Sequence, residues 1–185
     1  MDTPILNEHN KEEYPPMHTA EHILNGTMVK MFGCRRAQNA HIERRKSKCD
    51  YDLPAALSPE QIAAVEARVN EVIAAHLPVT MEYITRDEAR GRFDMERLPE
   101  DASATLRVVR VGDYDECLCV GSHVSNTAEI GHFRISSTRY EAGRFRIVFR
   151  LDPPGNYRVG CTRRFGNLPG RKRKTADNQT INSRF

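Results

Sequence analysis

The sequence predicts an α+β fold, a largely antiparallel β-sheet with helices packed against it. Three observations carry the prediction. Residues 58–76 read as a capped amphipathic helix, residues 18–32 as a helix stopped by glycine, and residues 133–151 as two alternating strands around a short turn.

Each element has its own signal. Pro15-Pro16 precedes an apolar-rich run from His18 to Phe32, and Gly33 supplies the stop. Residues 39–53 are charged and end in alternating Cys49, Tyr51 and Leu53, the pattern of a strand with one exposed face. In "SPEQ" (58–61), Ser58 can cap, Pro59 suits the first helical position and Gln61 completes a capping box. Ile62, Val65, Val69, Val72 and Ile73 then form one apolar stripe. "PVTMEYI" (78–84) reads as a strand, and Thr85 opens a short helix over "RDEARGRF". Residues 105–111 and 117–120 read as two more strands. "FRISSTRY" and "RFRIVFRL" flank the turn "EAG" and form a hairpin. Alternation sends Phe145, Ile147, Phe149 and Leu151 to one face, and Arg144, Arg146 and Arg150 to the other. Those arginines are either a solvated sheet face or a surface for RNA.

The 185 residues fit one domain over 1–151 followed by a basic, Gly/Pro-rich tail over 152–185. The tail carries eight Lys/Arg against two Asp, so the net +3 of the chain leaves −3 on residues 1–151. It has no periodic apolar face, which predicts a flexible segment. Its run Arg171, Lys172, Arg173 and Lys174 could meet phosphate. Met1-Asp2-Thr3-Pro4 opens no basic-then-apolar leader, and no apolar stretch nears the ~18 residues of a membrane helix. Five cysteines, an odd number, point with that to free thiols and a cytoplasmic location.

The chemistry gathers in two places. His18 and His22 in "HTAEH" are four apart and share one helix face. A zinc protease would need glutamate directly after the first histidine, but residue 19 is threonine and the glutamate is Glu21. Far downstream, "CLCVGSH" offers Cys119 and His123. One thiolate and three imidazoles make a tetrahedral Zn2+ set. Cys117, two residues before Cys119, is a competing thiolate that the sequence leaves open. His41, His76 and His132 lack partners at ligand spacing and read as surface or structural residues. There is no nucleophile elbow, phosphate loop or dinucleotide fingerprint. Such a site serves either metal-assisted hydrolysis or a closed zinc that ties helix to sheet.

In this order and about a hundred residues apart, "HTAEHIL" and "CVGSHVSNTAEIGHFRI" resemble the two zinc motifs of the alanyl-tRNA synthetase editing domain. The stretch "LSPEQIAAVEARVNEVIAAHLPVTMEYITRDEARGRF" resembles that family's long helix, strand and short helix, and the resemblance covers residues 15–151. Without an aminoacylation domain of synthetase size, the chain resembles the short, free-standing AlaX-type trans-editing proteins. The editing domain of threonyl-tRNA synthetase shares both motifs. The resemblance implies a zinc-dependent aminoacyl-tRNA deacylase that removes serine or glycine from tRNA(Ala), with His18, His22, Cys119 and His123 as the zinc and catalytic residues. Ser-tRNA(Thr) is the alternative substrate, and a non-catalytic RNA-binding module that kept the fold is the alternative role. A small polar residue after the first helix meets the serine hydroxyl in that family, and Asn39 in "AQNAHIE" falls nearest. Two features depart from the pattern. The second motif reads Val-Gly-Ser where Gly-Gly-Thr is usual, and the tail from Asp152 has no counterpart.

Overall fold

A computed structural model describes residues 13–95 and 104–155. The order is α1 (Pro15–Phe32), β1 (Asn39–His41), β2 (Ser47–Asp52), α2 (Pro59–Ala74), β3 (Val79–Thr85), α3 (Arg86–Arg90), β4 (Thr105–Val111), β5 (Asp115–Leu118), a 3-10 turn (Thr127–Glu129), β6 (His132–Glu141) and β7 (Arg144–Asp152). Two antiparallel sheets result, one in the order β1-β2-β7-β6 and one in the order β3-β4-β5. The α+β class predicted from the sequence is the class found.

Local chemistry explains most boundaries. Pro15 and Pro16 occupy the first turn of α1, where a missing N–H costs nothing, so the helix begins at them instead of after them. Gly33 takes the left-handed conformation at φ 64° and its N–H bonds to Val29 O, which closes α1. Ser58 and Gln61 form the reciprocal capping box of α2, and Thr85 and Glu88 form another on α3. On α2, Val65, Val69, Val72 and Ile73 are buried. They meet the aromatic face of the larger sheet, where Tyr51, Phe133, Phe145 and Phe149 are fully buried, together with Met17, Ile23, Leu24 and Met28 of α1. The Phe133 and Phe149 rings pack 5.0 Å apart. A smaller cluster of Ile84, Ala89, Leu106 and Val108 seats α3 on the second sheet.

Three expectations need correction. Residues 39–53 form two strands, β1 and β2, with a polar turn between them. The expected exposed face of β2 is present at Lys48 and Asp52, but Asp50 between them is buried under a two-pronged bond from Arg146 of β7, at 2.6 and 2.7 Å. The strand expected at 117–120 runs over Asp115–Leu118 instead, since Cys119 and the residues after it turn away toward α1. The basic run 171–174 and the tail from residue 156 lie outside the described residues.

The Asp50–Arg146 pair gives a pH-dependent expectation. The Arg146 guanidinium holds the Asp50 carboxyl below the usual carboxylate range. A depressed folded pKa contributes stability in full above the unfolded value of ~3.9, and the contribution disappears as pH falls through the folded pKa. Asp50→Asn should therefore cost about 1 kcal/mol at neutral pH, discounted because Arg146 is partly exposed. Urea midpoints of variant and parent should converge as the pH is taken below the depressed Asp50 pKa.

Candidate metal centre

The site forms where α1 crosses the end of β5. His18 and His22 lie one turn apart on α1, and both are buried because that face of the helix packs inward. The loop after β5 brings Cys119 and His123 over them. One ligand atom from each of the four lies within 4.8 Å of all the others. Cys119 Sγ is 3.4 Å from His18 Nε2 and 3.4 Å from His123 Nε2. The imidazole rings of His18 and His123 stand 4.2 Å apart, and those of His22 and His123 4.4 Å apart.

Two of the histidines have their tautomers set by neighbours. His18 Nδ1 lies 3.2 Å from Ser122 O and 2.8 Å from Glu13 Oε2. Both partners accept, so Nδ1 carries the proton and Nε2 presents its lone pair to the cluster. His123 is fixed through Thr19. The Thr19 hydroxyl donates to Pro15 O at 3.0 Å and accepts from Val124 N at 3.2 Å. Its one proton is thus used, so His123 Nδ1, 3.1 Å away, must be the donor. His123 Nε2 then also presents its lone pair to the cluster. This is what threonine at residue 19 does in place of the protease glutamate.

The loop itself is held by Arg107 of β4. Its Nε donates to Cys119 O at 2.7 Å, its Nη2 donates to Gly121 O, and Arg107 O accepts from Cys119 N at 3.0 Å.

The donor set fits zinc. With bonds of ~2.0–2.1 Å to nitrogen and ~2.3 Å to sulfur, tetrahedral ligands sit roughly 3.5 Å apart, close to the observed S···N separations. Cys117 forms a second group with His22 and Asp115. Its sulfur is 3.3 Å from His22 Nδ1, and burial pushes its thiol up. Asp115 is occupied by Arg36 at 2.6 and 3.0 Å, which leaves the four-residue group as the better donor set.

A cleft of about 560 Å³ opens beside the cluster, with His18, His22 and Cys119 on its wall and Glu21, Asn25 and Arg36 among the other lining residues. Asn25 Oδ1 accepts from Ala37 N at 2.9 Å, so its amide nitrogen must donate to Glu21 Oε1. Burial raises the Glu21 pKa, and it lowers that of His22, with His123 adding to the effect. Asn25, Arg36 and Asp115 fall in no ligand motif, and Glu21 enters HTAEH only as a glutamate misplaced for a protease. Their partners come from distant segments, and only the i, i+4 spacing of Glu21 and Asn25 could have hinted at them.

The remaining predicted residues lie elsewhere. Asn39 is exposed on β1, outside the residues that line the cleft. Arg144 and Arg150 are exposed on β7, whereas Arg146 is engaged by Asp50. Exposed His41 pairs with Glu43, and His76 is exposed. The four cysteines among the described residues are free, and no helix there is long and apolar enough to cross a membrane.

Comparison with known proteins gives this geometry its context. Residues 106–148, which include Cys119 and His123, match the family described as the threonyl and alanyl tRNA synthetase second additional domain. The chain is 39% identical over 132 residues to an alanine–tRNA ligase of Fervidobacterium nodosum, covering 70% of this chain and 15% of the relative. It is 34% identical over 119 residues to that of Leptospira biflexa, covering 64% of this chain and 13% of the relative. It is 33% identical over 135 residues to that of Coxiella burnetii, covering 72% and 16%. The chain thus spans only about a seventh of the length of these relatives. The matched segment is the one that carries the second half of the cluster, and the chain is related to the editing domain of the alanyl-tRNA synthetases.

Proposed function

We propose that the chain is a zinc-dependent aminoacyl-tRNA deacylase that removes mischarged serine or glycine from tRNA(Ala). The observation that carries this reading is the meeting of His18, His22, Cys119 and His123 beside an open cleft whose wall includes His18, His22 and Cys119. A purely structural zinc would need no such cavity beside it. The bound ion would supply Lewis-acid polarisation of the ester carbonyl, or an anchor for the aminoacyl group.

The chain's own groups do the rest. Ser122, Glu13 and Thr19 hold two imidazoles in the tautomer that faces the cluster. Asn25, itself fixed by the Ala37 N–H, holds the Glu21 carboxyl at the cleft. A serine side chain entering there would meet Glu21 and Cys117, polar partners that a hydroxyl can satisfy and a methyl cannot. Asn39 on β1 keeps the role of hydroxyl contact only if the substrate reaches beyond the cleft. Arg144, Arg146 and Arg150, and the tail residues Arg171, Lys172, Arg173 and Lys174, are the RNA contacts of this reading.

Ser-tRNA(Thr) is a second reading, favoured by a family description that covers both synthetases. The curated relatives named above are alanine–tRNA ligases, which favours tRNA(Ala). The deciding assay offers Ser-tRNA(Ala), Gly-tRNA(Ala), Ser-tRNA(Thr) and correctly charged Ala-tRNA(Ala) to the purified chain. Release of serine or glycine from tRNA(Ala), with Ala-tRNA(Ala) spared, is the expected result. Preference for Ser-tRNA(Thr) would promote the second reading, and inertness toward all mischarged species would sink both.

A further inference from the structure

The turn between β1 and β2 reads Ile-Glu-Arg-Arg-Lys over residues 42–46, and Lys48 follows on β2. Arg44, Arg45, Lys46 and Lys48 are all exposed. Among the described residues, Arg44, Arg45 and Lys46 form no ion pair with a carboxylate, and the one acid of the turn, Glu43, is taken by His41 at 2.5 Å. A domain with net charge −3 over residues 1–151 therefore carries a compact cationic spot here.

That spot has a defined place. Ser47 closes the turn, accepting from Glu43 N at 3.0 Å and donating to Glu43 O at 3.1 Å. The Arg44 guanidinium lies over the Tyr14 ring, 4.8 Å from its centroid. Tyr14 caps α1, and its carbonyl accepts from His18 N at 3.1 Å. Its neighbour Glu13 contacts the His18 ring. The cationic turn thus stands one helical turn and one ring stack from the metal cluster, on the order of 10 Å. A guanidinium stacked on a ring keeps its N–H edge available, and that edge matches phosphate.

We propose that the Arg44–Lys48 turn binds backbone phosphates in the single-stranded 3′ end of the tRNA whose aminoacyl ester enters the cleft. The inference rests on the deacylase reading for the identity of the RNA. At a separation on the order of 10 Å, the turn falls beside phosphates a few nucleotides from the ester. Of the β7 arginines, Arg146 is already held by Asp50, and on neighbouring β6 Arg134 is paired with Asp152, whereas Arg144 and Arg150 stay exposed.

The test compares the full chain with its Arg44→Ala/Arg45→Ala/Lys46→Ala variant, reading binding of uncharged tRNA(Ala) over a range of salt. The same tRNA lacking its last four 3′ nucleotides is the control ligand. The variant should lose about tenfold or more in affinity for intact tRNA, and its log–log salt slope should be shallower by about two, at ~0.7 per single-strand phosphate. Parent and variant should bind the truncated tRNA equally. Unchanged affinity and slope with intact tRNA would overturn the proposal, as would an equal loss with the truncated one. Should the triple variant fold poorly, Arg45→Ala/Lys46→Ala spares the Tyr14 stack and should show the same effect at reduced size. Deacylation by the parent is read separately: binding loss without any hydrolysis would reject the enzyme and leave this surface standing.

Discussion

Cys119→Ala and His18→Ala should each purify without stoichiometric zinc and show deacylation reduced at least about a thousandfold. Removing one of four donors leaves an incomplete tetrahedron, and a zinc site owes its selectivity to ligand number and geometry. Cys119 has the larger part, since its sulfur contacts both His18 and His123. Metal analysis by plasma emission, beside single-turnover hydrolysis of Ser-tRNA(Ala), checks the expectation. Full zinc content in either variant would refute the four-residue set. Cys117→Ala is the informative control. It should keep its zinc, because the loop turns Cys119 and not Cys117 toward His18.

Gly121→Ala should be nearly as damaging, although it removes no ligand. A methyl group at this position would lie 2.2 Å from His18 Cε1 and 2.6 Å from His18 Nδ1, far inside van der Waals contact. His18 cannot retreat, since its backbone is in α1 and its ring is held by Ser122 O and Glu13. The loop cannot retreat either without breaking the Arg107 bonds to Cys119 O and Gly121 O. Zinc titration should show affinity weakened about a hundredfold or more, on the scale at which misorienting a ligand through its supporting groups acts. Affinity equal to the parent would mean that the loop is softer than this packing allows.

Much of this was legible in the sequence where the signal was local. The Ser58–Gln61 box, the Gly33 cap and the β6–β7 alternation each depend on residues a few positions apart, and each formed as written. So did the pairing of "HTAEH" with "CVGSH", because two helix-spaced histidines and a thiolate–histidine pair are each short patterns. What failed was long-range. Alternation alone carries β5 to residue 120, whereas the strand ends at Leu118 and Cys119 turns toward His18. Asp50 read as a solvent-facing residue until Arg146, ninety-six positions away, was seen to bind it. Glu13 and Tyr14 belong to no motif, and Thr19 counts in the sequence only as the residue that breaks the protease pattern, yet the three orient the histidines or seat the basic turn.

Arg107 carries one more implication. In small zinc modules the metal must organise its own ligand loop, so most of the binding free energy is consumed in folding. Here a guanidinium from β4 already pins the carbonyls of Cys119 and Gly121, and Thr19 pins Val124, before any ion arrives. The protein itself thus holds the loop, and an ion bound there would spend little of its binding free energy on ordering it. Metal removal by a chelator should then leave the fold intact, so far-ultraviolet circular dichroism and the urea midpoint should change little on stripping.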